Sequence, residues 1–225
     1  MAFKYFLVFV GCISLFFPTQ LVGQEKEVLL TNSKKIDTNR YKGILDSPYL
    51  FDEWLPGTII SQDADQIEAN SFNYNAYTNT FEIQEGDRFI ELDPAWYLRV
   101  ILTPQDQKPI IYQKAFHPSF KGVFMQLLYD GEGQLFKQVE VNISKKTFQD
   151  VGKTREVERF VKRTTYHWIK NGTLKSFKLN KKQILKTLQN KKVLESFIKR
   201  HKLKLNKEEQ LIQLMSFFDE EGFMP

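Results

Sequence analysis

The side chains best suited to metal binding or nucleophilic catalysis are few in this 225-residue chain and lie far apart in the sequence. The histidines are His117, His167 and His201, and the single cysteine is Cys12. Zinc sites gather such ligands at short spacings, as in H-E-x-x-H, and the sequence contains no such cluster. It also contains no G-x-S-x-G elbow, P-loop or G-x-G-x-x-G motif. We therefore expect no metal ion and no other cofactor.

Acidic side chains are concentrated in the first half of the chain. Residues 41–110 contain 12 acidic and four basic residues, a net charge of −8. Asp63 and Asp65 begin a pattern similar to a calcium loop, but Ile67 and Glu68 occupy the positions where an EF-hand needs an oxygen ligand and a glycine. We interpret these acids as a solvated loop. A glycosidase needs two carboxylates at a fixed separation, so hydrolysis of an envelope polysaccharide by acids of the first half remains an alternative.

The tripeptide Tyr166-His167-Trp168 has two interpretations. The imidazole and the aromatic rings could form a patch that stacks on a sugar or a base. Alternatively, this is a strand with one face in the core and the other at the surface, because successive strand residues point to opposite sides. The second interpretation is the one that we favour.

Basic side chains dominate the second half of the chain. Residues 111–225 contain 23 basic and 12 acidic residues, a net charge of +11. Residues 181–207 contain one acid, Glu195, and the following ten bases: Lys181, Lys182, Lys186, Lys191, Lys192, Lys199, Arg200, Lys202, Lys204 and Lys207. Unpaired lysines are almost never buried, so these bases form a candidate face for an anionic partner such as lipid head groups or acidic glycans. The alternative is that the two halves attract each other and the remaining charge is simply solvated.

The elements that position these side chains are predicted from periodicity. Short apolar alternations separated by turn residues run from residue 58 to residue 179 and predict an antiparallel β meander. The strongest hairpin signal is Asn171-Gly172, because both central residues of a type I′ turn need positive φ. Before the strands, residues 24–41 lack periodicity and predict a tether or irregular segment, and Leu50, Phe51 and Trp54 predict an apolar plug on the sheet.

The last 45 residues change to a helical period. Asn180, Asn190 and Asn206 each precede an apolar stripe of helical spacing and are predicted to begin helices as N-caps. The sequence therefore predicts an α+β fold, with an antiparallel β meander (a curved sheet or partial barrel) over residues 24–179. Three short amphipathic helices over residues 180–225 are predicted to pack on it.

Residues 1–23 have the pattern of a secretory signal peptide. Lys4 supplies the positive charge, residues 5–17 form the apolar run, and cleavage is expected between Gly23 and Gln24. A membrane anchor is the first alternative, but the run has 13 residues where a span needs about 20. A lipoprotein is the second, since Val10-Gly11-Cys12 is similar to a lipobox. We expect export to the periplasm, the outer surface or the medium, without the only cysteine.

The chain contains several short motifs: Ser47-Pro48-Tyr49 with Trp54 and Gly57, Tyr74-Asn75-x-Tyr77 before Phe81-x-Ile83, Gly122-Val123-Phe124, and the lysine-rich stretch from Leu203 to Glu209. Together they resemble a family of secreted proteins of Bacteroidota-type Gram-negative bacteria. The resemblance covers most of the chain after the signal. It implies an exported bacterial protein with a β meander followed by helices, and it carries over no catalytic residue.

Two function classes follow from these observations. The first is a non-enzymatic envelope or surface protein that binds a partner protein, an apolar ligand or an anionic envelope component, including weak peripheral association with an anionic membrane. The second is the polysaccharide hydrolase. The lack of a nucleophile or metal signature favours the first, and nucleic-acid binding conflicts with the export signal. The aromatic residues, 14% of the chain, suffice to fill a β core or to line a pocket.

Overall fold

The structure, a computed structural model, describes residues 33–114, 117–150 and 153–224. The predicted signal peptide therefore lies outside the described residues. The strands form one antiparallel sheet, and three helices follow them, so the predicted α+β class is confirmed. In the part of the chain that is described, no helix is both long enough and apolar enough to cross a membrane.

The sheet has 11 strands in the order β1-β5-β4-β3-β2-β6-β7-β8-β9-β10-β11. Their bounds are β1 Lys34–Lys35, β2 Leu55–Ser61, β3 Gln66–Asn75, β4 Thr80–Glu85, β5 Arg88–Glu91, β6 Tyr97–Leu102, β7 Ile110–Lys114, β8 Phe124–Asp130, β9 Gln134–Asp150, β10 Lys153–Lys170 and β11 Thr173–Phe177. Two meanders, β2–β5 and β6–β11, lie side by side because β6 pairs with β2 and not with β5. Asn171 and Gly172 have φ angles of 50° and 72°, which confirms the predicted turn between β10 and β11.

The sheet curls around a first hydrophobic core. Tyr74 on β3 and Tyr112 on β7 are three strand steps apart, which is about 14 Å in a flat sheet. Their ring centroids are nevertheless 5.0 Å apart. Phe81 on β4 and Phe124 on β8 are five steps apart, with centroids at 5.8 Å. The sheet is not closed, so the curved sheet is the form that the structure takes.

The three helices are α1 Lys181–Thr187, α2 Lys191–Arg200 and α3 Glu208–Glu220. Asn180 caps α1 as predicted, because its side chain accepts the backbone N–H groups of residues 182 and 183. Asn190 precedes α2 but makes no capping hydrogen bond, since it lies at φ 59° and not in the extended conformation of a usual N-cap. The predicted cap at Asn206 is wrong, because α3 begins after Lys207.

A second hydrophobic core joins the helices to the end of the sheet. Leu135 on β9, Trp168 on β10 and Phe177 on β11 are buried with the apolar residues of all three helices. Gly133 packs directly against Trp168 in this core. A Cβ at position 133 would lie 2.2 Å from the Trp168 ring. The three helices therefore pack on β9–β11 as one folded unit with the sheet.

The segment before β2 also packs on the sheet. Lys34–Lys35 pair with β5, and Leu50 and Phe51 pack against the first core as the predicted plug. The described part of residues 24–41 is therefore not a free tether. It is held by a strand pairing and by the ion pairs of Arg40 with Glu82 and Glu91.

Candidate functional site

The ten predicted bases lie on two helices and on the segment that leads to the third, and we call this group the basic face. α1 carries three of them, α2 carries four, and the segment leading to α3 carries three. All ten side chains are exposed. The buried helix residues, such as Ile184, Leu194 and Ile198, point to the second core, so the bases are left on the solvent side.

The basic face is scarcely neutralised by acids of the protein. Among the described residues, the only ion pair that involves it joins Lys191 and Glu195, at 3.8 Å. One ion pair of the described residues joins residues 41–110 to residues 111–225, namely Asp46 with Arg159 at 2.8 Å. The acids of the first half of the chain therefore do not neutralise the bases of these helices.

A partly buried ionic cluster, which we call the Arg40 clasp, lies at the opposite end of the sheet. Glu82 on β4 is fully buried and accepts hydrogen bonds from Arg40, from Tyr49 Oη at 2.7 Å and from Asn75 Nδ2 at 2.7 Å. Arg40 also pairs with Glu91 on β5, at 3.5 Å. Burial works against the Arg40 charge, but Glu82 outweighs it and raises the pKa of the guanidinium. Burial and the bond to Glu82 also raise the pKa of Tyr49.

Glu82 and Glu91 form a facing pair of carboxylates, which is the kind of arrangement that the hydrolase alternative requires. They are directly opposite each other on β4 and β5. Arg40 bridges them, and both oxygens of Glu82 already accept hydrogen bonds. A substrate could not enter between the two acids without displacing Arg40. This arrangement is that of a structural clasp.

An open groove of about 570 Å³, which we call the aromatic groove, lies above the Arg40 clasp. Residues 36–42, residues 46–49, Trp54 and Phe89 line it. The Trp54 ring contacts Tyr49 at a centroid distance of 5.8 Å and Phe89 at 5.4 Å. These rings belong to the loop before β2 and to β5, so the pairing of the N-terminal segment with β5 builds the groove.

The three histidines lie apart and make separate structural contacts. His167 is buried, and its two ring nitrogens are 2.8 Å from Ser176 Oγ and from Gln138 Oε1. Phe120 covers the ring at 4.6 Å, and burial lowers the pKa of His167 to about 4. The face of β10 that we expected at the surface is covered at His167, because Phe120, which precedes β8, packs over the ring. His117 caps a short 3₁₀ helix and His201 packs on Phe197.

One buried ion pair was not anticipated from the sequence. Lys170 at the end of β10 and Asp219 in α3 are both buried, with Nζ 2.8 Å from Oδ1. Gly133 N–H and Tyr129 Oη donate to the same carboxylate, each at 3.1 Å. Burial opposes ionisation of Asp219, but these partners outweigh it and lower the pKa of the carboxyl group.

No group of three or more His, Cys, Asp or Glu side chains is placed to hold a metal ion in residues 33–114, 117–150 and 153–224. No protein-family model, curated protein or solved structure matches the chain. The resemblance to secreted Bacteroidota-type proteins therefore stays a prediction.

Proposed function

We propose that this protein is an exported, non-enzymatic module of the bacterial envelope that associates peripherally with an anionic membrane surface through the basic face. The observation that supports this proposal is the exposure of all ten bases, with one ion pair between them and the acids of the described residues. An uncompensated cluster of cations on packed helices attracts anionic head groups.

The expected association is weak and sensitive to salt. Each basic residue near an anionic membrane contributes about 1 kcal/mol, and the attraction is screened within about 8 Å at physiological ionic strength. The bases are distributed over α1, α2 and the following segment, so we expect only part of the ten to contact a flat surface at once. The protein would therefore bind reversibly, as a peripheral protein does.

An apolar side chain within the basic face adds a second kind of contact. Val193 on α2 is 42% exposed, and Arg200 lies two turns further along the same side of the helix. Interfacial helices bury such apolar groups at the boundary between head groups and acyl chains, while their basic neighbours remain with the head groups. We expect the Val193 side chain to be the part of α2 that lies deepest in the membrane interface.

The Arg40 clasp supports the non-enzymatic part of the proposal. The hydrolase alternative needs two accessible carboxylates, and the facing pair that the fold provides is occupied by a guanidinium. The remaining acids of residues 41–110 that lie on turns, such as Asp63 and Asp87, are exposed.

Co-sedimentation with vesicles tests the proposal. The protein is expected to bind vesicles that contain phosphatidylglycerol at low salt, to leave them at high salt, and not to bind pure phosphatidylcholine. Reversing two charges on α2 (Lys192→Glu with Lys199→Glu) should abolish binding. The matched control reverses two exposed lysines elsewhere, Lys108→Glu with Lys121→Glu, and should bind as the unaltered protein does.

Equal binding to both kinds of vesicle, or none at low salt, would contradict the proposal. Loss of binding in the control to the same extent would show that net charge, and not the basic face, decides the association. Binding to a soluble acidic polysaccharide with no binding to anionic vesicles would assign the basic face to a glycan instead.

A further inference from the structure

The aromatic groove combines ring surfaces with polar groups and lies apart from the basic face. We propose that this groove binds a neutral oligosaccharide. The inference does not depend on the membrane proposal, because the two surfaces share no residue.

The groove has a rigid aromatic wall. Trp54 lies between Tyr49 and Phe89, and its ring is inclined to theirs by 52° and 62°. The Tyr49 hydroxyl is fixed by its hydrogen bond to buried Glu82. All three rings are only partly buried. Fixed, half-exposed aromatic rings offer flat apolar area at little cost in conformational entropy, and the apolar faces of sugar rings match such area.

The charges that line the groove and the charges bound to them nearly cancel. Arg40 is bound to Glu82 and Glu91, and Asp46 is bound to Arg159. The other two charged lining residues, Asp37 and Lys42, have opposite signs. With these partners counted, only one negative charge remains, because Arg40 is bound to two carboxylates. A charged ligand therefore gains little electrostatic attraction, and a neutral ligand is favoured.

Free hydrogen-bonding groups border the aromatic wall. Thr38 and Asn39 are exposed, and neither side chain makes a hydrogen bond with any residue that the structure describes. A hydroxyl and an amide together offer both donors and acceptors, as sugar hydroxyl groups require. Polar groups placed around an apolar floor set the orientation of a ligand.

The shape of the surface favours a chain of sugars over a single one. A second hollow of about 640 Å³ lies on the other side of Asp46 and Ser47, which line both hollows. This hollow continues along β10 as far as Lys162. The charged residues that this hollow adds are Lys146 and Lys162, which are positive, and Asp52, which is negative, so the two hollows together carry no net charge. An extended ligand that crosses Ser47 would contact both hollows, whereas a monosaccharide would occupy only one.

Titration of the protein with defined hexasaccharides, followed by isothermal calorimetry, tests the inference. The panel contains neutral hexamers of glucose, mannose and N-acetylglucosamine, an acidic hexamer of galacturonic acid, and an extended apolar peptide. We expect at least one neutral hexamer to bind, its monosaccharide to bind about tenfold more weakly or not at all, and the acidic hexamer to bind more weakly.

The tryptophans provide a matched pair of variants. Trp54→Ala should weaken binding about tenfold or more, whereas Trp96→Ala removes an exposed tryptophan outside the groove and should leave binding unchanged. Because Trp54 also packs on Phe89, the exposed double variant Thr38→Ala with Asn39→Ala provides a second test that leaves the packing intact. It should weaken binding without a change in melting temperature.

The inference is overturned if no neutral hexamer binds, if the acidic hexamer or the peptide binds best, or if neither groove variant changes the affinity. Vesicle binding should be the same in Trp54→Ala as in the unaltered protein. The membrane proposal and the oligosaccharide proposal can therefore be contradicted independently of each other.

Discussion

Lys170 Nζ lies 2.8 Å from Asp219 Oδ1, and this buried contact joins the end of β10 to the last turn of α3. Glu132 also approaches Lys170, at 3.2 Å, but its side chain is largely exposed. Asp219 holds the turn between β8 and β9 as well, through the N–H of Gly133. One carboxylate thus ties the helices to two separate parts of the sheet.

Replacing Asp219 should destabilise the fold strongly. Asp219→Ala leaves buried Lys170 with only the exposed Glu132 as an ionic partner, and breaking such a buried pair costs about 3–5 kcal/mol of unfolding free energy. Urea unfolding at neutral pH measures this loss. The double variant Lys170→Met with Asp219→Leu removes both charges and should be more stable than Asp219→Ala. A single variant as stable as the unaltered protein would show that the pair contributes nothing.

Burial of His167 predicts a dependence of stability on pH. The pKa of His167 is lowered to about 4, so the folded protein keeps it neutral where the unfolded chain binds a proton. Stability should be complete above about pH 6.5 and should fall by about 3 kcal/mol as the pH drops to about 4, at 1.36 kcal/mol for each pKa unit. Urea unfolding at a series of pH values measures this slope.

The control for this pH dependence is His201, an exposed histidine that directly follows α2. His167→Gln should remove most of the slope between pH 6.5 and 4, although it also lowers stability at pH 7. His201→Gln should keep the slope. An identical slope in His167→Gln would assign the pH dependence to other groups.

Local signals in the sequence predicted much of the fold. Asn171-Gly172 marked its hairpin because the backbone demands of the turn are local, and Asn180 marked α1 for the same reason. The pairing of β2 with β6 was not predictable. Local sequence patterns indicate hairpins between successive strands, but they do not show which edge of the first meander β6 joins. The covering of His167 by Phe120 depends on the same kind of long-range contact.

The candidate sites differ in how far the sequence could reveal them. The basic face was predictable, since its bases fall between the apolar positions of short helices. The Arg40 clasp was not, because Arg40 is 42 residues from Glu82 and lies in a segment without periodicity. Asp219 carried a weak signal, because it lies next to buried Phe218 and one turn after Met215 on α3, where a charge requires a partner.

Export of the protein is expected to remove residues 1–23. The Lys4 charge, the apolar run and the small residue at Gly23 support cleavage by a signal peptidase. Intact-mass measurement of protein recovered from the envelope or the medium gives the mature N-terminus. A mass that includes Met1 would contradict export by this signal, and an acylated Cys12 would show a lipoprotein.

The helical segment should be inseparable from the sheet. Deleting residues 180–225 removes the apolar side chains of α1–α3 and exposes Leu135, Trp168 and Phe177 of the second core. Burial of each large apolar side chain contributes about 1.5–3 kcal/mol, whereas a whole domain is stable by about 5–15 kcal/mol. The truncated chain is therefore expected to aggregate or to remain unfolded, as size-exclusion chromatography and circular dichroism would show. A monomeric truncated protein with an unchanged melting temperature would mean that the helices form a separate domain.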